Sequence, residues 1–405
     1  MTARPRATRV LIVLALTNLV GYAARNALFT VYPDLRARFL IDDGQLGLLQ
    51  TAFMIPHAAA TLPFGWAGDR FDRRWVIIAG LVLASVAGAA GAIAPGYGLL
   101  ALSRAGVGLG TAAIVPVATS ILAQLYDGPR KASRLSVFNL GLFLGGVVGF
   151  ATGIAVGFPI VVIALAIPGL ALAAALAALT VPAHPAAGEA RTDWRELIAL
   201  VVSLARDARA LVSIRTLRWM VLSTTSMAFA AGGYNAWLKE LLTREKHMTD
   251  AQATTLLMLA LGGGVSGILV GGRIADALRA RMANGRLWTI VLGMALTIPC
   301  ASAAILLPKS PALYAAGVAT MFFISWYHAP VAASVDDLAP AARQVAAQGL
   351  VIFTMHMVGT APSSWVVGLV SEHSSLHTAM WVPTAALAVA ASAMAVATRS
   401  FRADH

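Results

Sequence analysis

Residues 65–74 read Gly-Trp-Ala-Gly-Asp-Arg-Phe-Asp-Arg-Arg, and 207 positions further on residues 272–276 read Gly-Arg-Ile-Ala-Asp. In both stretches a Gly precedes an Asp by four residues, and in both the pattern closes a long apolar run. An interval of half the chain predicts two homologous halves related about the membrane normal. The apolar runs agree. They fall near residues 10–32, 45–67, 75–94, 97–126, 135–156 and 158–181, then 217–242, 250–272, 286–307, 311–334, 345–369 and 376–398. Each has about the 20 residues that a helical span needs. The fold class expected is an all-α membrane protein, twelve transmembrane helices in two six-helix pseudo-symmetric bundles. The N-terminal bundle is 1–181, the linker 182–216 and the C-terminal bundle 217–405.

Composition leaves little room for anything else. Of 405 residues 59% are hydrophobic and 12% charged, and mean hydropathy is +0.76, too apolar for a water-facing surface. Cys300 is the single cysteine, which excludes a disulfide framework and a cysteine metal site within this chain. The net charge of +12 would suggest nucleic acid in a soluble protein, but here Arg clusters on one side of a membrane. Alternate connectors carry 22 of the 30 Lys and Arg, and the opposite connectors carry 6. The positive-inside rule then predicts an even number of spans with both termini cytoplasmic, in the cell (inner) membrane. Arg4, Arg6 and Arg9 followed by apolar sequence to Val31 resemble a secretory signal, but the run exceeds an h-region of about 7–15 residues and reads as a retained first span. The linker opens with Pro182, Pro185 and Gly188; from Thr192 it turns amphipathic, with Arg195, Arg206 and Arg209, and is expected along the membrane surface.

The stretch Gly65, Asp69, Arg70, Arg73, Arg74 resembles the signature loop of the major facilitator superfamily, on the connector between the second and third spans. Gly65 permits close helix approach. Asp69 can accept from a neighbouring helix N-terminus and pair with a cytoplasmic Arg. With Arg134 and Asp276 these residues are expected to form a cytoplasmic gate; the plainer alternative is a positive-inside anchor. Two arginines lie within spans, Arg25 in the first and Arg104 in the fourth, where charge is expensive and marks a functional site by default. Taking the span midpoints as Gly21 and Val107, both lie about 4–6 Å outside the midplane, at one depth. Tyr22, Asn139, Tyr234 and Asn235 are polar positions in apolar spans and line a cavity or join helices. His57 and His356 are either proton carriers or interhelical hydrogen-bond donors. The glycine runs 141–153 and 262–272 lack phosphate-loop spacing and read as packing surfaces.

A narrower resemblance runs through Gly21-Tyr-Ala-Ala-Arg25, Tyr32-Pro-Asp-Leu-Arg36, Gly47-Leu-Leu-Gln50, the signature loop, Leu102-Ser-Arg-Ala-Gly-Val-Gly-Leu-Gly110 and Leu135-Ser-Val-Phe-Asn-Leu-Gly141. It is similar to the Spinster family, transporters of lysophospholipids and sphingolipid phosphates, and less closely to organic-anion symporters. Where those families carry an acid in the first span this chain has Ala24, and where Spinster proteins carry a Glu after the fourth-span Arg it has Thr111. Two Arg without their acids favour an anion as the missing partner. The function implied is alternating-access transport of an amphiphilic anion, a lysophospholipid or related lipid, with Arg25 and Arg104 at the headgroup and apolar walls of both halves at the tail. The alternative is a transporter of small organic anions or drugs, possibly proton-coupled. No enzymatic constellation, metal cluster or cofactor motif is present in the sequence. The partners expected are the anion and membrane lipids, with no nucleic acid, and a monomer.

Overall fold

The computed structural model describes residues 3–126, 131–181, 194–340 and 343–401, helical almost throughout. It divides into two compact units, Met1–Leu197 and Ile198–His405. The first contains α1 (Ala3–Asn26), a 3-10 turn (Ala27–Thr30), α2 (Tyr32–Phe39), α3 (Asp43–Arg70), α4 (Arg73–Ala92), α5 (Tyr97–Thr111), α6 (Ile114–Leu125), α7 (Lys131–Val156) and α8 (Ile160–Ala178). Helix α9 (Trp194–Ser213) leads into the second unit, with α10 (Arg215–Glu240), a π-turn (Leu241–Glu245), α11 (Asp250–Arg281), α12 (Gly285–Leu306), α13 (Pro311–Ile324), α14 (His328–Leu338), α15 (Gln344–Thr354), a second π-turn (Met355–Thr360), α16 (Ala361–His373), α17 (Leu376–Ala379) and α18 (Trp381–Ser400).

Ten helical stretches among the described residues are long and apolar enough to cross a bilayer. The other two of the expected twelve are α3 and α10. With 28 and 26 residues they reach about 42 and 39 Å, beyond the roughly 30 Å hydrocarbon core. What sets them apart is polarity: Gln50, His57, Asp69 and Arg70 on α3, and Arg215, Arg218, Asn235, Lys239 and Glu240 on α10.

The internal repeat is visible atom by atom at the starts of α3 and α11. Asp42 accepts from the Gln45 backbone N–H at 2.6 Å while the Gln45 side chain accepts from Asp42 N–H at 3.2 Å. Thr249 and Gln252, each 207 residues on, form the same capping box. The first residue of each helix pairs with a base from the preceding α-helix, Asp43 with Arg36 at 2.6 Å and Asp250 with Lys239 at 2.9 Å. A tyrosine hydroxyl then reaches each box glutamine's carbonyl, Tyr97 to Gln45 at 3.0 Å and Tyr314 to Gln252 at 3.4 Å. Lys239 is therefore a structural counterpart of Arg36.

Without a hydrophobic drive between helices in lipid, close backbone approach has to supply the contact. The two glycine runs do this. On α7, a Cβ added to Gly141 would lie 2.9 Å from the Ala15 carbonyl and one on Gly149 2.9 Å from Ala23 Cα, both of α1. On α11, Cβ atoms on Gly263 and Gly271 would lie 2.7 Å from the Val318 carbonyl and from Trp326 Cα. Asn18 adds a buried hydrogen bond from α1 to the Phe138 carbonyl on α7 at 3.0 Å. Around these seams leucine, isoleucine, valine, alanine and phenylalanine fill one core in the first unit, including Leu14, Ile77, Ile121 and Phe138. A second core in the other unit includes Met220, Ile290, Met294 and Leu387.

The linker call falls partly on residues 182–193, which lie outside the described residues. Beyond them, on α9, Ile198, Val201 and Val202 form one exposed apolar stripe, and Leu211 enters the second unit's core. At the end of the first π-turn Lys246 donates to the Leu307 carbonyl at 2.7 Å and to that of Ile305, closing the end of α12. Desolvation there pulls its ammonium below the ordinary lysine pKa.

Gly149→Leu should force α1 and α7 apart, at a cost of about 1–3 kcal/mol or more, and lower the unfolding temperature of the purified protein in detergent. Gly98→Leu, where an added Cβ has nothing within 4 Å, should leave it unchanged. Equal unfolding temperatures in the two variants would contradict the seam.

Candidate functional site

The polar centre of the first unit forms where α1 changes pitch. At Asn26 the α-helix gives way to the buried 3-10 turn Ala27–Thr30, so carbonyls near the switch need partners from elsewhere. Arg104 of α5 supplies them. Its Nη1 donates to the Ala24 carbonyl at 3.1 Å and its Nη2 to the Arg25 carbonyl at 3.3 Å. The side chain is 3% exposed, and its guanidinium carbon lies 5.0 Å from the Phe53 ring centroid on α3. Such a desolvated cation–π contact is worth about 2 kcal/mol.

Phe53 also stacks on His57, one helical turn away, with centroids 5.5 Å apart and planes inclined by 16°. His57 Nδ1 lies 3.2 Å from the Gly108 carbonyl and 3.1 Å from Thr111 Oγ1. A carbonyl only accepts, so Nδ1 carries the proton and Nε2 is the acceptor of the neutral ring. Gly108 makes this approach of α3 to α5 possible: a Cβ there would lie 2.9 Å from the Phe53 carbonyl carbon. One cluster thus joins α1, α3 and α5.

Arg25 and Arg104 lie side by side, but their surroundings differ. The fork of Arg104 is spent on α1 backbone. Behind it, α1, α4, α5 and α8 enclose a cavity of about 40 Å³ lined by Gly21, Ala24, Ser85, Arg104 and Thr111 among others. That is far below the roughly 300 Å³ at which small-molecule pockets begin. Arg25 is half-buried, and among the described residues its guanidinium has no hydrogen bond and no carboxylate partner. Tyr22 precedes it by three residues on the same face of α1, its backbone carbonyl accepting from Asn26 at 2.9 Å. Asn139 is exposed on α7.

The remaining candidates belong to the second unit. Tyr234 shares a 2.7 Å hydrogen bond with Thr384, from α10 to α18. Asn235 is exposed on the neighbouring position. His356 lies on the π-turn Met355–Thr360, a local widening that often marks functional positions. This turn packs on α10 through Gly359, where a Cβ would meet the Thr225 carbonyl at 2.6 Å.

The signature stretch is more helical than its expected place on a connector. Asp69 and Arg70 form the last turn of α3 and Arg73 and Arg74 the first turn of α4, leaving Phe71 and Asp72 between. Asp72 caps α4 through the Arg74 backbone N–H at 2.9 Å. Arg73, 4% exposed, donates to the Gly68 carbonyl at 3.2 Å and to Gln124 of α6 at 2.9 Å, and lies 3.8 Å from Asp69. Arg74 reaches the Leu179 carbonyl beyond α8 at 3.1 Å. Arg70 lies over the Trp66 ring at 4.9 Å. Gly65 and Gly68 face α6 at Pro116 and Val117. Asp276 is exposed on α11, which continues past it to Arg281. The Arg134 side chain lies outside the described residues.

Sequence reasoning missed Phe53 and Gln124. The four-residue spacing of Phe53 and His57 on one helix face was the available signal for the first; nothing local marks Gln124.

With this geometry in view, comparison with known proteins defines the class. The family model described as Major Facilitator Superfamily matches residues 14–284 and 220–403. The chain belongs to that superfamily and is a multi-pass membrane transporter, not an enzyme. Within it, the chain is similar to Spinster proteins: 26% identical over 389 residues to protein spinster homolog 3 of Danio rerio, covering 90% of this chain and 77% of that one. It is 26% identical to human protein spinster homolog 1, covering 91% and 73%, and to a sphingosine-1-phosphate transporter of Danio rerio, covering 89% and 75%. A crystal structure of a bacterial homolog of Spinster, inward-facing and occupied, superposes with a TM-score of 0.82 at 17% identity over 99% of this chain and 98% of that one.

Separation of the two arginines' roles gives a direct expectation. Arg104→Gln should lower the unfolding temperature of the substrate-free protein, since two α1 carbonyls lose their donors, at about 1–3 kcal/mol. Arg25→Gln should not. Comparable loss in both would show Arg25 to be structural as well.

Proposed function

We propose that this protein moves a lysophospholipid or related single-chain anionic lipid by alternating access, and that Arg25 meets the headgroup. The observation that carries this is the unpaired Arg25 guanidinium beside an Arg104 whose charge is likewise unbalanced by any carboxylate among the described residues. A cation held in a low-dielectric span without a counter-ion favours an anion there. The polar inventory immediately around it is small, Tyr22 and His57, with Asn139 the first unit's further polar candidate along α7. A sugar would need many more partners to replace its hydration. The named activity of the sphingosine-1-phosphate transporter relatives supports the same class of substrate.

In this reading Tyr234, Asn235 and His356 contribute the second unit's polar contacts. Gly65, Asp69, Arg70, Arg73, Arg74, Arg134 and Asp276 form the cytoplasmic gate, in which the acids Asp69, 59% exposed, and Asp276, also exposed, are open to exchange partners. Both termini are cytoplasmic, in the cell membrane, and the protein works as a monomer with bilayer lipid as its other partner.

Proteoliposomes carrying the purified protein should take up a labelled lysophospholipid. Arg25→Ala should abolish uptake while the protein stays folded, and Arg25→Lys should restore part of it, supplying charge without the planar fork. Uptake by Arg25→Ala at the wild-type rate would remove Arg25 from the site.

The acids that could carry a coupling proton are Ala24 and Thr111 in this chain. His57 donates its Nδ1–H to the Gly108 carbonyl and lies in a cluster with two arginines, whose positive charge opposes a third. Uptake should therefore be insensitive to an imposed pH gradient, and His57→Gln should not change that. A steep gradient dependence that disappears in His57→Gln or His356→Gln would identify a proton carrier and overturn uncoupled transport.

A further inference from the structure

On the outer face of the second unit, α10 and α18 leave a groove of about 360 Å³ lined by Trp219, Leu222, Ala388, Val389, Ser392 and Val396 among others. Its apolar walls are open: Leu222 is 43% and Val389 49% exposed. The helices run in opposite directions, so the first turn of α10 and the last turn of α18 meet at one end of the groove. Arg215 and Arg218 come from the first, at positions i−4 to Trp219 and Leu222, and Arg399 from the second, one turn beyond Val396. All three are exposed, and none makes an ion pair or hydrogen bond among the described residues. At the same end the Trp219 indole N–H is buried without an acceptor.

We infer that this groove is a binding site for an anionic bilayer phospholipid of the leaflet on the arginine side, separate from the transported substrate. From Val389 to Arg399 the groove runs about 15 Å along α18, the depth of one leaflet's hydrocarbon. An acyl chain lies along Leu222, Ala388, Val389 and Val396, while the phosphate sits among the three guanidinium groups, which bind phosphate oxygens through paired N–H donors. The indole N–H donates to a phosphate or ester oxygen at the boundary, the place where Trp is favoured in membranes. Positive-inside bias alone accounts for arginines at helix ends. It does not account for three converging on one apolar groove beside a buried N–H that lacks an acceptor. Both walls belong to one unit, so the lipid ties α10 to α18 where few side-chain hydrogen bonds do.

The test uses the full-length protein. Native mass spectrometry after exchange into micelles containing equal amounts of phosphatidylglycerol and phosphatidylcholine of matched chains should find one phosphatidylglycerol retained at least tenfold over phosphatidylcholine. R215Q/R218Q/R399Q should lose that preference, and A388F, which fills the groove, should lose retention of both lipids. Inorganic phosphate at millimolar concentration should not displace the lipid. Equal retention of the two lipids by the wild type, an unchanged preference in the triple variant, or displacement by phosphate would each overturn the assignment. If the triple variant fails to fold, tryptophan fluorescence decides. Chain-brominated phosphatidylglycerol in nanodiscs should quench the Trp219 contribution, taken as wild type minus W219F, at a tenfold lower mole fraction than brominated phosphatidylcholine, and equal quenching would refute the site.

Discussion

Two hydrogen bonds from Arg104 to the carbonyls of Ala24 and Arg25 hold the first unit's polar centre in place. In hydrocarbon a backbone carbonyl freed by a change of helix pitch must find a donor within the protein. A lysine ammonium can also reach two carbonyls, as Lys246 does, but the planar guanidinium reaches two in a fixed fork and lies over the Phe53 ring as well. The consequence reaches beyond stability. Because the acceptors are neutral carbonyls, the charge of Arg104 is solvated but not cancelled. The field it leaves adds to that of Arg25, whose guanidinium has no hydrogen bond and no carboxylate partner among the described residues. An intramembrane cation usually comes with its counter-ion; under the proposed function the counter-ion's place falls to the substrate.

The two units solve the same problem with the same parts. A capping box, an acid on the first helical residue paired with a base, and a tyrosine hydroxyl on the box carbonyl recur at the starts of α3 and α11. Both helices then continue into the Gly-x-x-x-Asp pattern. Conservation of function between halves does not follow from this. The first unit places arginines and His57 at its centre, and the second places a Tyr234–Thr384 pair and the π-turn at His356.

Much of the fold was legible because lipid imposes a simple rule: spans must be long and apolar, and connectors carry the charge. The expected run 97–126 corresponds to α5 and α6, and 345–369 to α15, the π-turn and α16. The departures are local. Apolar runs ended before the helices did at Asp69–Arg70 and at Arg273–Arg281, because a helix continues into water wherever caps and propensity allow, and hydropathy does not register that. The candidate site was legible in its cost, since an Arg in a span is conspicuous. Its division of labour was not. Whether a guanidinium meets a ligand or a carbonyl depends on where the neighbouring helix changes pitch, and the 3-10 turn at Ala27–Thr30 leaves no pattern in the sequence. Interhelical partners such as Gln124 for Arg73 are equally silent, being 51 residues apart.

The central claim is that Arg25 serves as the anion's counter-charge. The most direct measurement compares binding of a lysophosphatidic acid with binding of the monoacylglycerol of the same chain, by calorimetry on the purified wild-type protein and on Arg25→Gln. The account predicts that wild type binds the phosphate-bearing lipid at least tenfold more tightly than the neutral one, and that Arg25→Gln binds both alike. Equal affinity for the two lipids in the wild type, or an undiminished preference for the phosphate without Arg25, would contradict it.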